Sequence, residues 1–280
     1  MFMWILKKPS LAEAKKDIDV VIDHSRNLDD REKPLLEKLY DDYDNGQGEA
    51  TAAQLFPLES KKNIIKGQYD KTSGKKSDGY NKPLVYIRTE LNRGVAKCPY
   101  CSINAPQQLD HYMDKNDYGQ LATCRLNLVP LCATCNNLKG KTSYKEFTHP
   151  YYQKFPKADF LVADCKVQNN HLVVKFRIDP MVITDVKLRA KLNNQISHIH
   201  LCHRLQKAVN EFLLTHFMYC VGFSDISLKT YLQKLFDNMN VMYGRNDWRT
   251  ALLRGLLACA SFNMNVVNNM KFVPVNDVGA

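Results

Sequence analysis

Cys98-Pro-Tyr-Cys101 and Cys132-Ala-Thr-Cys135 form two Cys-x-x-Cys pairs, and Asp110-His111 lies between them. Two such pairs supply four thiolates, the ligand set of a structural zinc ion, and each pair can hold the metal from one tight turn. The cysteines alone predict a zinc knuckle. The Asp-His pair inside them predicts chemistry. Asn136 directly follows the last cysteine, in what the pattern predicts to be the first turn of a helix pinned by the zinc. That geometry can bring Asn136 opposite Asp110. One carboxylate and one amide oxygen, with waters and a phosphate, suit a hard divalent cation such as Mg²⁺. His111, with an ordinary pKa of about 6.5, is the natural general base for a water nucleophile. The cation would stabilise the charge growing on the phosphate and on the leaving oxygen. Asp110 and His111 fall at a predicted strand end, where neighbouring side chains point to opposite faces. A bend or bulge is therefore needed to bring both to one site.

The elements that must position these residues come from a chain of 280 residues with 45% apolar content. That length can bury a real core and hold one to three domains, and the composition excludes wholesale disorder. The formal net charge of +10 suits a polyanionic partner,. Nine cysteines, an odd number with paired spacing, point to metal in a reducing compartment and not to a disulfide framework,. The apolar stretch Met1 to Ile5 ends before Lys7 and Lys8, too short for a signal peptide or a membrane span,. The expectation is a soluble, cytoplasmic protein with no membrane contact.

Apolar spacing predicts helix over residues 11–44, with Asn45-Gly46 as its stop, and a short helix over 50–66,. Lys66 to Pro83 reads as a loop by composition. Glu59 to Lys97 carries ten Lys+Arg against four Asp+Glu, a local net of +6. Gly74-Lys75-Lys76-Ser77 is not a phosphate-binding P-loop, because Tyr69 stands where its first glycine is required,. Pro83 opens a predicted helix over Leu84 to Asn92 that leads into Cys98. Phe160 to Val167 and His171 to Ile178 read as a β-hairpin around a short polar turn, with His171 at a strand start,. The last hundred residues read as helical, with one long stripe from Leu192 to Leu213, further helices at Leu228 to Met242 and Trp248 to Cys259, and an irregular tail after Asn263,. His198, Cys202 and His203 lie near one another on the long stripe, but no acidic or second cysteine partner is close, so a core or surface role is expected.

The order Cys-x-x-Cys, Asp-His, Asn127-Leu-Val-Pro-Leu-Cys-x-x-Cys-Asn136 and then Lys resembles the HNH endonuclease family across about residues 83–155. The resemblance implies a ββα-metal finger in which Asp110 and Asn136 hold the catalytic metal and His111 is the base. It implies that Asn127 ties the loop so that His111 is held in place. Lys139 and Lys141 would contact phosphate, and Cys98, Cys101, Cys132 and Cys135 would hold zinc away from the cut. Many family members carry histidine where this chain has Asn136. An amide oxygen is a harder and weaker ligand than imidazole, which favours Mg²⁺ or Mn²⁺ as the catalytic ion. More loosely, the flow onward to His149-Pro-Tyr-Tyr and a hairpin is similar to HNH proteins of bacterial anti-phage systems, the Septu type also found beside retrons. Those work with an ATPase subunit, and the resemblance would make the flanking helices docking surfaces.

The expected fold is α+β, mainly helical, with a central small ββα unit. Residues 1–82 are expected to form an N-terminal helical region with a basic loop, 83–155 the nuclease domain, and 156–280 a hairpin with a C-terminal helical region. The alternative is a zinc-knuckle module that binds nucleic acid or serves as a scaffold without catalysis. It explains the cysteines and leaves Asp110, His111 and Asn136 as coincidence. The site demands a phosphodiester but does not choose its sugar. DNA follows from the resemblance, and structured RNA, including tRNA, stays open.

Overall fold

A computed structural model describes residues 3–72, 83–169, 171–217, 220 and 222–269. Most of the predicted basic loop (73–82), part of the hairpin turn and the tail from 270 lie outside the described residues. The architecture is α+β and mainly helical, with two antiparallel two-stranded sheets. The described chain forms two compact units. One comprises Trp4–Pro99 with Asn104–Lys154; the other takes Phe155 onward together with Tyr100–Ile103.

The first unit opens with α1 (Leu11–Asp23), capped by Ser10, and α2 (Lys33–Asn45). The predicted continuous helix over 11–44 is broken here. Asp29 accepts hydrogen bonds from the Arg31 amide and guanidinium and folds the polar linker into a turn,. The single helix predicted over 50–66 becomes α3 (Ala52–Leu55), a 3₁₀ turn at Phe56–Lys61 around Pro57, and α4 (Lys62–Gln68). A second 3₁₀ turn, Tyr69–Thr72, corrects the start of the predicted loop. Next comes α5 (Val85–Asn92).

The ββα element follows: β1 (Gln108–His111), β2 (Leu128–Leu131) and α6 (Ala133–Lys139). The strands pair antiparallel in unbroken register, from Gln108 opposite Leu131 to His111 opposite Leu128. Pro130 is tolerated in β2 because the sheet has only two strands, and a missing N–H on the outer edge costs no ladder bond,.

The loop between the strands is held by the N-terminal helices. Arg125 makes a bidentate pair with Asp17 of α1, at 2.6 and 2.7 Å, and reaches Glu90 of α5 at 2.9 Å. Tyr86 of α5 donates to the same Asp17 at 2.7 Å. Asp17 and Arg125 are both almost fully buried. Burial pushes the Asp17 carboxyl up, opposed by its bonds from Arg125 and Tyr86.

In the second unit β3 (Leu161–Gln168) and β4 (His171–Ile178) form the predicted hairpin. Helices α7 (Val186–His198), α8 (Leu201–Phe217), α9 (Asp225–Tyr243) and α10 (Trp248–Ala258) follow. The long predicted stripe is two helices, because His200 turns left-handed at φ 49° between them,. That break separates His198 from Cys202 and His203. The tail is not irregular at once: Asn263 accepts from the Val266 amide at 3.1 Å and starts α11 (Met264–Asn269), which buries Met264 and Val266,. Gly255 of α10 lies against β3 so closely that a Cβ would stand 2.3 Å from the Ala163 carbonyl oxygen. No described helix is long and apolar enough to cross a membrane.

Replacing Asp17 by alanine removes the buried partner of Arg125 and leaves the cation to the partly exposed Glu90 and Glu13. The expected loss is about 3–5 kcal/mol of unfolding free energy, the usual cost of breaking one side of a buried pair. Urea denaturation checks this, and an unchanged midpoint would refute it.

Candidate active site and metal centre

The metal centre is built from the two cysteine turns. Cys132 caps α6 through its own sulfur, which accepts the Cys135 amide at 3.4 Å, and Cys101 Sγ accepts the Ile103 amide at the same distance. Amides aimed at sulfur favour the thiolate. The sulfurs of Cys98, Cys101, Cys132 and Cys135 lie within 4.8 Å of one another, and all four residues are buried. None forms a disulfide. Tetrahedral zinc with Zn–S bonds of about 2.3 Å requires sulfurs about 3.8 Å apart. Four buried, unoxidised thiols at this separation fit that ion, and their role is to fix the start of α6 against the ribbon.

The ribbon and α6 present the remaining chemistry to one side. Asp110 and His111 close β1, and the chain bends directly after them at Tyr112–Met113. Asp110, His111 and Asn136 all line one open cleft of about 800 Å³, together with Gln108, Tyr69, Arg88, Asp114 and Lys115. The register runs unbroken through His111, so no bulge is involved; the strand simply ends there.

His111 Nε2 lies 2.9 Å from the Ala122 carbonyl oxygen. A carbonyl only accepts, so this nitrogen carries the proton and Nδ1 is the basic one. The ring meets the edge of Tyr69 at 4.3 Å between centroids, and Tyr69 is itself anchored by donating to the Leu109 carbonyl at 2.9 Å. Burial pulls the His111 pKa down to about 3, although the Ala122 bond works the other way. The imidazole is therefore neutral at physiological pH.

Asp110 is buried, and burial pushes its pKa up to about 6 against the pull of the neighbouring Lys139 ammonium. Lys139 Nζ lies 2.9 Å from Asp110 Oδ2 and donates to the His111 carbonyl oxygen at 3.1 Å. The contact is a buried ion pair in which the Lys139 ammonium stands directly on Asp110 Oδ2. Lys139 is only 1% exposed, whereas Lys141 stands in solvent. The two cations expected beside phosphate thus occupy different environments.

Asn136, the middle residue of α6, donates through Nδ2 to Gln108 Oε1. That bond commits the nitrogen end of the amide and leaves its oxygen as the end able to accept or ligate. A carboxylate and an amide on the same cleft are donor types that suit a hard divalent cation, although the carboxylate is already paired with Lys139,.

Asn127 stands apart from the cleft, fully buried behind it. Its Oδ1 accepts from the Met113 amide at 2.8 Å and from the Tyr43 hydroxyl at 3.0 Å. Its Nδ2 donates to the Met113 and Leu121 carbonyls at 3.1 and 3.3 Å. Asn127 therefore closes the loop that follows His111 and carries Ala122. Behind Tyr43 stands His149, with its Nε2 3.2 Å from the hydroxyl and its Nδ1 accepting the Tyr151 amide. Gly48 is required beside it: at φ 92° any Cβ would meet the His149 ring at 2.4 Å,.

Sequence reasoning missed Gln108, Tyr69, Arg88 and Lys115. Gln108 was findable, since it lies two residues before Asp110 and so on the same strand face. Tyr69 was hidden in a stretch read as loop. Lys115 lies 4.5 Å over the Tyr69 ring, a cation–π contact that no sequence pattern announces.

Residues 98–142 match the family model described as HNH endonuclease. That interval holds both cysteine pairs, Asp110, His111, Asn127, Asn136, Lys139 and Lys141. No curated protein and no solved structure matches the chain.

Elemental analysis is expected to find one zinc per chain, and Cys132→Ser is expected to lose it. Asn127→Ala leaves several buried partners unpaired, each costing about 1–3 kcal/mol. It should lower the melting temperature while zinc content is retained, measured by calorimetry alongside the metal assay.

Proposed function

We propose that the chain is a metal-dependent endonuclease that hydrolyses nucleic-acid phosphodiester bonds, with DNA as the default substrate and RNA, including tRNA, as the alternative. The observation that carries this reading is that Asp110, His111 and Asn136 line one cleft, within the interval that matches the nuclease family model.

His111 is the general base. Its Nε2 is committed to the Ala122 carbonyl, so Nδ1 takes the proton from the attacking water. The ring is held neutral by burial and is ready to accept. An incoming anionic phosphodiester beside it stabilises the imidazolium as it forms. Asp110 and Asn136 hold the catalytic cation, Mg²⁺ or Mn²⁺, which when bound supplies a positive charge for the phosphate and the leaving oxygen. Gln108 keeps the Asn136 amide in its ligating orientation. Asn127 holds the loop that carries Ala122, and so positions His111 at second hand. Arg88 and Lys115 on the cleft, with solvent-exposed Lys141, attract the polyanion.

The reading as toxic effector of a bacterial anti-phage system, acting with an ATPase subunit, is supported only by the order of motifs running on to His149-Pro-Tyr-Tyr and the hairpin. Co-purification with an ATPase from the native host tests it. The competing reading is a zinc-knuckle module without catalysis.

His111→Ala is expected to lower Mg²⁺- or Mn²⁺-dependent cleavage of plasmid, single-stranded DNA or total RNA by about 10²–10⁴-fold, the usual worth of a general base. Zinc content and melting temperature should stay near those of the parent. Equal cleavage by both proteins would favour the binding module. Lys115→Ala with Arg88→Ala should instead weaken substrate binding and flatten its salt dependence by about one unit of log–log slope per lost contact. Fluorescence anisotropy at several salt concentrations reads this directly.

A further inference from the structure

Lys139 is an unusual neighbour for a cation site. It is 1% exposed, and its ammonium lies 2.9 Å from Asp110 Oδ2. Its hydrogen bond goes to the His111 carbonyl oxygen at 3.1 Å. Asn136 and Lys139 are three residues apart on α6, so both face β1. The helix thus offers β1 one neutral oxygen ligand and one fixed positive charge.

A buried carboxylate with no counter-charge costs several kcal/mol. With Lys139 beside it, Asp110 is balanced before any metal arrives. The same charge stands against a divalent cation that would use Asp110. Such a cation must share the carboxylate with an ammonium or displace it, and both weaken binding.

We propose that Lys139 is a built-in cation that takes the metal's electrostatic place on Asp110 and sets how tightly the catalytic divalent ion binds. This rests on the reading of Asp110 and Asn136 as its ligands. Lys139 is then a positioning residue for Asp110 and for the His111 backbone, not a surface contact for phosphate. The site folds without its catalytic ion and holds that ion weakly until a phosphodiester adds negative charge. Metal and substrate then favour each other's binding, as linkage requires.

The test measures Mn²⁺ binding by electron paramagnetic resonance on zinc-loaded protein, with Asp110→Asn marking the signal that belongs to the cleft. Lys139→Met and Lys139→Gln remove the charge, and the glutamine retains a donor for the His111 carbonyl. Both are expected to bind Mn²⁺ at least about tenfold tighter than the parent, a difference of about 1.4 kcal/mol. Lys139→Arg, which keeps the charge, should stay near the parent. Unchanged or weaker binding in the neutral variants overturns the proposal and leaves the nuclease reading standing. Absence of any Asp110-dependent Mn²⁺ signal, in the parent and all variants, overturns both. Circular dichroism and zinc content establish folding. The parent chain supplies a second measurement: Mg²⁺ titration should shift the side-chain Cε–Hε resonance of Lys139, and a resonance unmoved at saturation overturns the proposal on its own.

Discussion

A ladder of four residues per strand, Gln108–His111 against Leu128–Leu131, cannot hold itself together in water. Everything in the first unit depends on how that ribbon is braced from outside. On one side the four cysteines gather at the start of α6, where Cys132 caps the helix. On the other, the loop between the strands is bonded to helices drawn from far along the chain. Arg125 reaches Asp17 and Glu90, Thr123 meets Tyr40, and Asn127 meets Tyr43. The N-terminal helices are therefore part of the site's frame. Without them the Ala122 carbonyl that sets the His111 tautomer has no fixed position.

The bracing that fixes these side chains also buries them, and burial sets their charge states. Asp110 and Lys139 are both enclosed and balance each other; His111 is enclosed and neutral. Positive charge facing the open cleft comes from Arg88 and Lys115, partly offset by Asp114. A module that only gripped nucleic acid would need surface cations and a zinc knuckle. The desolvation of an enclosed carboxylate is a standing cost to folding; the buried Asp17 bears it for a structural pair with Arg125, whereas Asp110 bears it on an open cleft beside His111 and Asn136. That cost is intelligible if Asp110 is a ligand, which is why the catalytic reading outweighs the binding one.

What was legible in the sequence is what chemistry restricts to particular residue types. Zinc demands thiolates at turn spacing, so the cysteines declared themselves. Asp110-His111 and Asn136 stood out because few other roles call for them in that bracket. The ββα order followed from the resemblance, and the hairpin and the mainly helical remainder from local periodicity. The rest rests on contacts between residues remote in sequence. Nothing near Arg125 indicates Asp17, and nothing near Asn127 indicates Tyr43 or His149. Helix breaks were misread for a related reason: apolar spacing continues across the linker before α2 and across His200, while the break is made by a polar turn or one left-handed residue. Lys139 was expected, by the resemblance, to contact phosphate together with Lys141. Only its place on the inner face of α6 opposite Asp110 makes it otherwise.

Asn136 and Lys139 are best understood together. An imidazole at position 136 would favour a softer transition-metal ion and bind it more strongly. On the proposed reading of Asn136 as a ligand, an amide binds weakly and has two ends of opposite character, and the Gln108 bond commits its Nδ2 end. Paired with a resident ammonium on the other ligand, that choice makes the whole site a weak one for free cations. Weakness is not a defect in a chain that must fold around its own buried carboxylate. It makes occupancy depend on a partner that brings negative charge, and a phosphodiester in the cleft is such a partner. On the proposed reading, the departure from histidine at 136 and the buried lysine express one constraint, the coupling of metal to substrate.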